Sequence, residues 1–250
     1  MKKLQCEGCG SSDFVKKDGL FECQYCGLKY SPEEISNLYK IKIDNSDKIN
    51  NLLKLARQAK RNNNWEKCAQ YYEMVMIEDS ENWEASFYAD FSGVVGFSGK
   101  KASRIYSVIS NALDTTLPLI RDTVPDQTEQ ENAVLEIAQD IFDLTKRLNT
   151  DVDTYSSANS VLYVINTLYV TGNKIESVFP DNANYETLIA DLWKSGVKIH
   201  FSILDYITDT KNAKAIIQSY SNKIKQYDED YECPKFKPAF VTSLKKLFNK

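Results

Sequence analysis

The chain has 250 residues, 42% of them hydrophobic and 26% charged, with a formal net charge of -4 and a pI near 5.3. That length leaves room for a small module beside a larger one with its own core, and the apolar content excludes a disordered chain. The mildly acidic balance argues against a broad sequence-independent nucleic-acid surface, which needs a basic excess.

The start, Met1-Lys2-Lys3-Leu4-Gln5-Cys6, is basic but passes straight into polar residues, without the apolar run of a signal peptide. The most apolar stretch, Val161 to Val170, is interrupted by Asn166 and Thr167 and falls short of the ~20 residues that span a bilayer. A cytoplasmic protein is expected, and in that reducing compartment paired cysteines serve as thiolate ligands rather than disulfides.

Two pairs stand in the first 30 residues: Cys6-Glu7-Gly8-Cys9-Gly10 and Cys23-Gln24-Tyr25-Cys26-Gly27. Two C-x-x-C knuckles at this separation can wrap one tetrahedral Zn²⁺ with four thiolates. Such a site is closed, so it serves structure and not catalysis. Between the knuckles, Asp18-Gly19 flanked by strand-forming residues predicts a tight hairpin that returns the chain to the metal. Gly10 and Gly27 each follow a pair, where positive φ lets backbone N–H groups approach the thiolates. A segment this short buries too little apolar surface to fold alone, so metal binding, worth roughly 10–16 kcal/mol in zinc peptides, supplies most of its stability. Phe14, Phe21 and Tyr25 are read as its small core, with base stacking as their other use.

These four ligand positions and both trailing glycines resemble the zinc ribbon family over about residues 4 to 30. The resemblance implies one structural Zn²⁺ on Cys6, Cys9, Cys23 and Cys26. It implies less about function, since zinc ribbons contact nucleic acid in some proteins and proteins in others. Lys2, Lys3, Lys16, Lys17 and Lys29 are nearly cancelled by Glu7, Asp13, Asp18 and Glu22, which makes nucleic acid the less favoured partner.

Residues 31–46 read as a linker, with a short helix to about Tyr39 that starts at Ser31 as N-cap and Pro32 at the first helical position. From Asp47 onward the apolar period is that of helices, so the body is expected to be all α. Leu52 to Ala59 and Trp65 to Val75 form a helix pair about the polar turn Asn62-Asn63-Asn64, and a new helix starts near Trp83. A second pair is expected over Trp83 to Phe97 and Lys100 to Leu113, its first helix made irregular by Gly93, Gly96 and Gly99.

The ~34-residue period of this unit matches the tetratricopeptide repeat. Leu52, Leu55, Ala56 and Ala59, then Trp65, Cys68, Tyr72 and Val75, resemble that family's packing positions, as do Ala102, Tyr106 and Ile109 one period later. Cys68 in place of alanine, Ala59 in place of an aromatic and Ser80 in place of proline are departures. Cys68 is read as a small core residue.

Past Leu117-Pro118 the period is lost, but amphipathic helices continue at about 129–148, 156–171, 185–208 and 213–227. The resulting organisation is a zinc ribbon over 1–30, a linker over 31–46, tetratricopeptide-like repeats over 47–117, further antiparallel helices over 118–230 and a tail over 231–250. The fold class is mainly α, a solenoid-like helical body with a small β-hairpin ribbon. This combination resembles a set of bacterial proteins whose roles are mostly unassigned.

Catalytic signatures are sparse. His200, the single histidine, lies on an inward stripe and reads as a core residue; no Walker loop, dinucleotide fingerprint or H-E-x-x-H motif occurs. The resemblance to tetratricopeptide repeats implies a groove formed by the first helix of each pair, with Asn50, Leu53, Arg57, Lys60, Arg61, Glu84, Phe87 and Phe91 facing a peptide of acidic character with apolar anchors. Phe240 to Phe248 forms a short amphipathic stretch with Lys245 and Lys246, suited to docking and only to weak membrane-surface contact. The expected function is a non-enzymatic scaffold for protein or peptide partners, with a nucleic-acid-associated regulator as the alternative.

Overall fold

The computed structural model describes residues 5–32, 34–35, 46–148, 155–180 and 182–236. These fall into two compact units that divide after Asn51. The chain is mainly helical, with a small antiparallel sheet near its start.

The sheet has three strands in the order β1-β2-β3: β1 Phe14–Lys17, β2 Leu20–Cys23 and β3 Lys29–Tyr30. Lys17 pairs with Leu20, so Asp18-Gly19 is a two-residue hairpin loop. Both loop residues have positive φ, 51° and 81°, as the tight turn of the primed type requires. The linker helix begins as expected: the Ser31 hydroxyl accepts from the Glu34 N–H at 3.1 Å, and the Glu34 carboxylate accepts from the Ser31 N–H at 2.7 Å. This reciprocal box satisfies two N–H groups at a helix start. The expected continuation to Tyr39 lies outside the described residues.

The helices are α1 Ser46–Arg61, α2 Trp65–Glu78, α3 Trp83–Ser92, α4 Ala102–Thr123, α5 Gln127–Leu148, α6 Tyr155–Val178, α7 Ala183–Ser202 and α8 Thr210–Tyr227. Asn64 and Asn82 cap α2 and α3 by accepting from the Lys67 and Ala85 N–H groups, and Asp209 caps α8 through the Asn212 N–H. Cys68, Tyr72 and Val75 of α2 are fully buried, as their spacing predicts. One period later the match slips: Ala102 and Ile109 are buried, but Ile105 takes the core position and Tyr106 stays half-buried beside the Tyr163 ring.

Several helix boundaries differ from the sequence expectation. The segment after Leu117 is not a break, because Pro118 lies inside α4. An internal proline costs ~3 kcal/mol of helix propensity, but Leu117 and Ile120 on either side of it are fully buried, and that packing holds the helix together. The expected divide at residue 117 therefore falls within one helix. α3 ends at Ser92, short of Phe97, and α7 ends at Ser202 with a 3-10 turn over Leu204–Tyr206. α6 runs on to Val178, beyond Thr171.

α6 and α7 approach each other closely. A Cβ added at Gly172 of α6 would lie 2.5 Å from Trp193 Nε1, and one at Gly196 of α7 would lie 2.5 Å from Tyr169 Cε1. Each helix thus offers a glycine that receives the other's aromatic ring, both through an aromatic-x-x-Gly spacing. Tyr220 of α8 stacks on Tyr169 at 3.7 Å, and Lys223 lies 4.3 Å over Trp193. No helix among the described residues is long and apolar enough to cross a membrane.

Candidate metal centre

The two C-x-x-C knuckles have the same backbone pattern. In the first, Cys6 N–H donates to Ser11 O at 2.8 Å and Gly10 N–H to Cys6 O at 2.7 Å; in the second, Cys23 N–H donates to Leu28 O and Gly27 N–H to Cys23 O, both at 2.9 Å. Gly10 and Gly27 hold φ of 73° and 74°, the left-handed region that a Cβ disfavours, so the trailing glycines serve the turn itself. Backbone N–H groups near the sulfurs pull these thiols down, those of Gly8 and Cys9 acting on Cys6 and those of Tyr25 and Cys26 on Cys23. Those of Ser11 and Leu28 act in the same direction on Cys9 and Cys26.

The four sulfurs all lie within 4.8 Å of one another. Separations of 3.5 Å join Cys6 to Cys26 and Cys9 to Cys23, so the knuckles face each other. Tetrahedral coordination at ~2.3 Å per Zn–S bond needs sulfurs about 3.8 Å apart. The arrangement fits a metal ion with small adjustments, and a four-thiolate donor set suits zinc or iron. Cys6 and Cys23 are buried, whereas Cys9 and Cys26 are exposed.

Behind the sulfurs, Cys6, Cys23, Tyr30 and Ile35 form the unit's small core, with Phe14 and Phe21 packed against it. Tyr25, expected in this core, is instead 83% exposed at the second knuckle, and Tyr30 takes the inward place. Tyr30 is the residue that sequence reasoning missed. Its signal was its position as the last residue of a strand pairing with β2, where register sets Tyr30 opposite Phe21. Its hydroxyl lies 3.2 Å from Cys6 Sγ and accepts from the Glu7 N–H at 3.1 Å. This hydroxyl, more than any other contact, draws the Cys6 thiol down to about 6, and the same contact pushes the Tyr30 phenol up to about 12.

The expected peptide-facing residues separate into two groups. Leu53, Phe87 and Phe91 are buried, and the two phenylalanines stack on each other at 5.2 Å beneath Trp65 and Tyr88. They belong to the core, so the expectation that they face a groove is corrected. α3 is covered on both sides by its neighbours, and the apolar positions read as outward turn in. Glu84 is also buried, where Arg57 binds it through Nε at 2.8 Å and Tyr72 donates to it at 2.7 Å. Lys60 pairs with Glu136 at 2.8 Å and Asp140 at 2.6 Å and lies 3.9 Å over the Tyr88 ring. Asn50 and Arg61 are exposed.

Arg57, Lys60, Arg61 and Glu84 nevertheless line one concavity of about 510 Å³ with Trp65, Trp83, Glu136 and Asp140. His200 is 3% exposed, its Nδ1 has no hydrogen-bond partner among the described residues, and burial pushes its pKa down to about 4. It is a neutral core residue. Burial likewise raises the Cys68 thiol, leaving it a small apolar residue of α2. The amphipathic stretch 240–248 lies outside the described residues.

No protein-family model, curated protein or solved structure matches this chain.

Proposed function

We propose that the chain is a non-enzymatic scaffold: a zinc ribbon, stapled by one structural Zn²⁺ on Cys6, Cys9, Cys23 and Cys26, joined to tetratricopeptide-like helices that bind a peptide segment of a protein partner. The observation that carries the partner reading is the concavity lined by Trp65, Trp83 and Arg61 at the end of α1. Two half-buried indoles offer apolar anchoring, and Arg61 is an exposed cation suited to a carboxylate. Support for a repeat-like stack comes from the odd-numbered helices. Arg57 of α1 reaches Glu84 of α3, Tyr88 of α3 donates to Asp140 of α5 at 2.6 Å, and α5 packs on α7.

The rest of the former groove is internally neutralised, because Arg57 and Lys60 already hold carboxylates. The partner segment is therefore short and engages the Trp65, Trp83 and Arg61 end. Affinity capture from the native cell tests this with wild type, Arg61→Glu with Trp83→Ala, and Cys23→Ser. Loss of the partner in the Arg61/Trp83 variant alone is expected. Full capture by that variant contradicts the groove, and loss in Cys23→Ser alone moves the binding surface to the ribbon.

A second reading, contact with nucleic acid through the ribbon, draws on the exposed Tyr25 ring beside the second knuckle. It requires gel-shift binding that weakens with salt.

A further inference from the structure

We propose that Tyr30 is the fifth member of the metal centre, a positioning residue whose phenolic O–H holds the Cys6 thiolate in place. The inference rests on the reading of the four cysteines as zinc ligands. The hydroxyl oxygen lies 3.2 Å from Cys6 Sγ and already accepts the Glu7 N–H at 3.1 Å. With that lone pair occupied, its proton is directed at the sulfur, which as a thiolate can only accept.

The surroundings fix this direction. The Tyr30 ring is 5% exposed and packs edge-on to Phe14 at 5.8 Å. Its backbone pairs with Phe21, and the next residue, Ser31, starts the capped helix whose Ile35 enters the same core. The phenol therefore has no freedom to swing away without unpacking the unit.

The contact also breaks the repeat between the knuckles. Two backbone N–H groups at equivalent positions act on each of Cys6 and Cys23, but among the described residues only Cys6 also has a side-chain hydroxyl at hydrogen-bond distance. A zinc ion with four thiolates carries excess negative charge, and each donor to sulfur disperses it. Tyr30 makes Cys6 the least nucleophilic and most firmly held ligand, while exposed Cys9 and Cys26 are the first that electrophiles reach.

The test uses the full chain, wild type and Tyr30→Phe, which keeps the ring and removes only the hydroxyl. Zinc affinity is read by competition with a chromophoric chelator, the cobalt-loaded form by its thiolate-to-metal charge-transfer band, and the zinc-loaded form by site-mapped alkylation with iodoacetamide. The variant is expected to bind zinc about 10-fold more weakly. Its band moves to lower energy, and Cys6 alkylation rises relative to Cys26. Affinity within about twofold and an unmoved band overturn the role of Tyr30 while leaving the zinc centre standing. A wild-type chain that takes up neither metal through its cysteines overturns both. In cadmium-loaded wild type, read by NMR, the Tyr30 hydroxyl proton is expected to exchange slowly and to show coupling to the metal. A freely exchanging proton overturns the proposal without any variant.

Discussion

At the residue scale, burial changes what a side chain can do. His200 has a folded pKa of about 4 against an ordinary value of 6.5. Between those values the unfolded chain binds a proton that the folded chain refuses, so unfolding takes up protons and stability falls as pH falls from 6.5 towards 4. Above that window the histidine is neutral in both states and contributes no pH dependence. From pH 7 to pH 5 this single group costs ~2 kcal/mol at most. Urea unfolding followed by the helical signal is expected to show that loss in wild type and a smaller one in His200→Leu. Equal pH dependence in the two proteins would remove His200 as the cause.

The same scale explains what could be read from the residues. The four-cysteine cluster, the Asp18-Gly19 turn and the two trailing glycines were legible, because each depends on chemistry within a few positions. Tyr25 was read as the core residue and Tyr30 was missed, since both are aromatic residues near the second knuckle, and only strand register decides which one turns inward. Phe87 and Phe91 were misread for a related reason. A helix covered on both sides has no outward apolar face, and its sequence pattern alone does not say how many neighbours it has. Arg57 is also a poor probe of binding, because removing it strands the buried Glu84 carboxylate and disturbs the fold itself.

At the scale of elements, the reciprocal glycines govern the packing of α6 on α7. Tyr169 and Gly172, then Trp193 and Gly196, repeat one spacing, and each glycine is the floor for the opposite ring. Gly172→Ala and Gly196→Ala raise intrinsic helix propensity by up to ~1 kcal/mol but force a methyl into an aromatic ring. The clash dominates, and each variant is expected to lose ~1–3 kcal/mol in chemical denaturation. A stability gain in both would show that the helices pack farther apart. This device was present in the sequence as a repeated spacing, yet its meaning needs the two helices to run antiparallel at contact distance. Pro118 gives the opposite lesson: a strong local stop signal was overridden by burial on both sides of it.

At the scale of the molecule, the chain divides its stability between two sources. The helical unit has an extensive apolar core that includes Trp193, Tyr72, Tyr88 and Phe87. Among the described residues, the first unit buries Cys6, Cys23, Tyr30 and Ile35 with two partly buried rings against them, a core too small to fold without a cross-link. The proposed metal centre would staple the first unit, whereas the helical body is held by its own core. Hydrogen exchange on the full chain, before and after zinc is removed with a chelator, tests it most directly, with metal content measured alongside. One zinc per chain is expected, with loss of protection over residues 6–30 on removal and unchanged protection in α2–α8. Retained protection around Cys6 and Cys23 without metal, or collapse of protection across the helices, would contradict it.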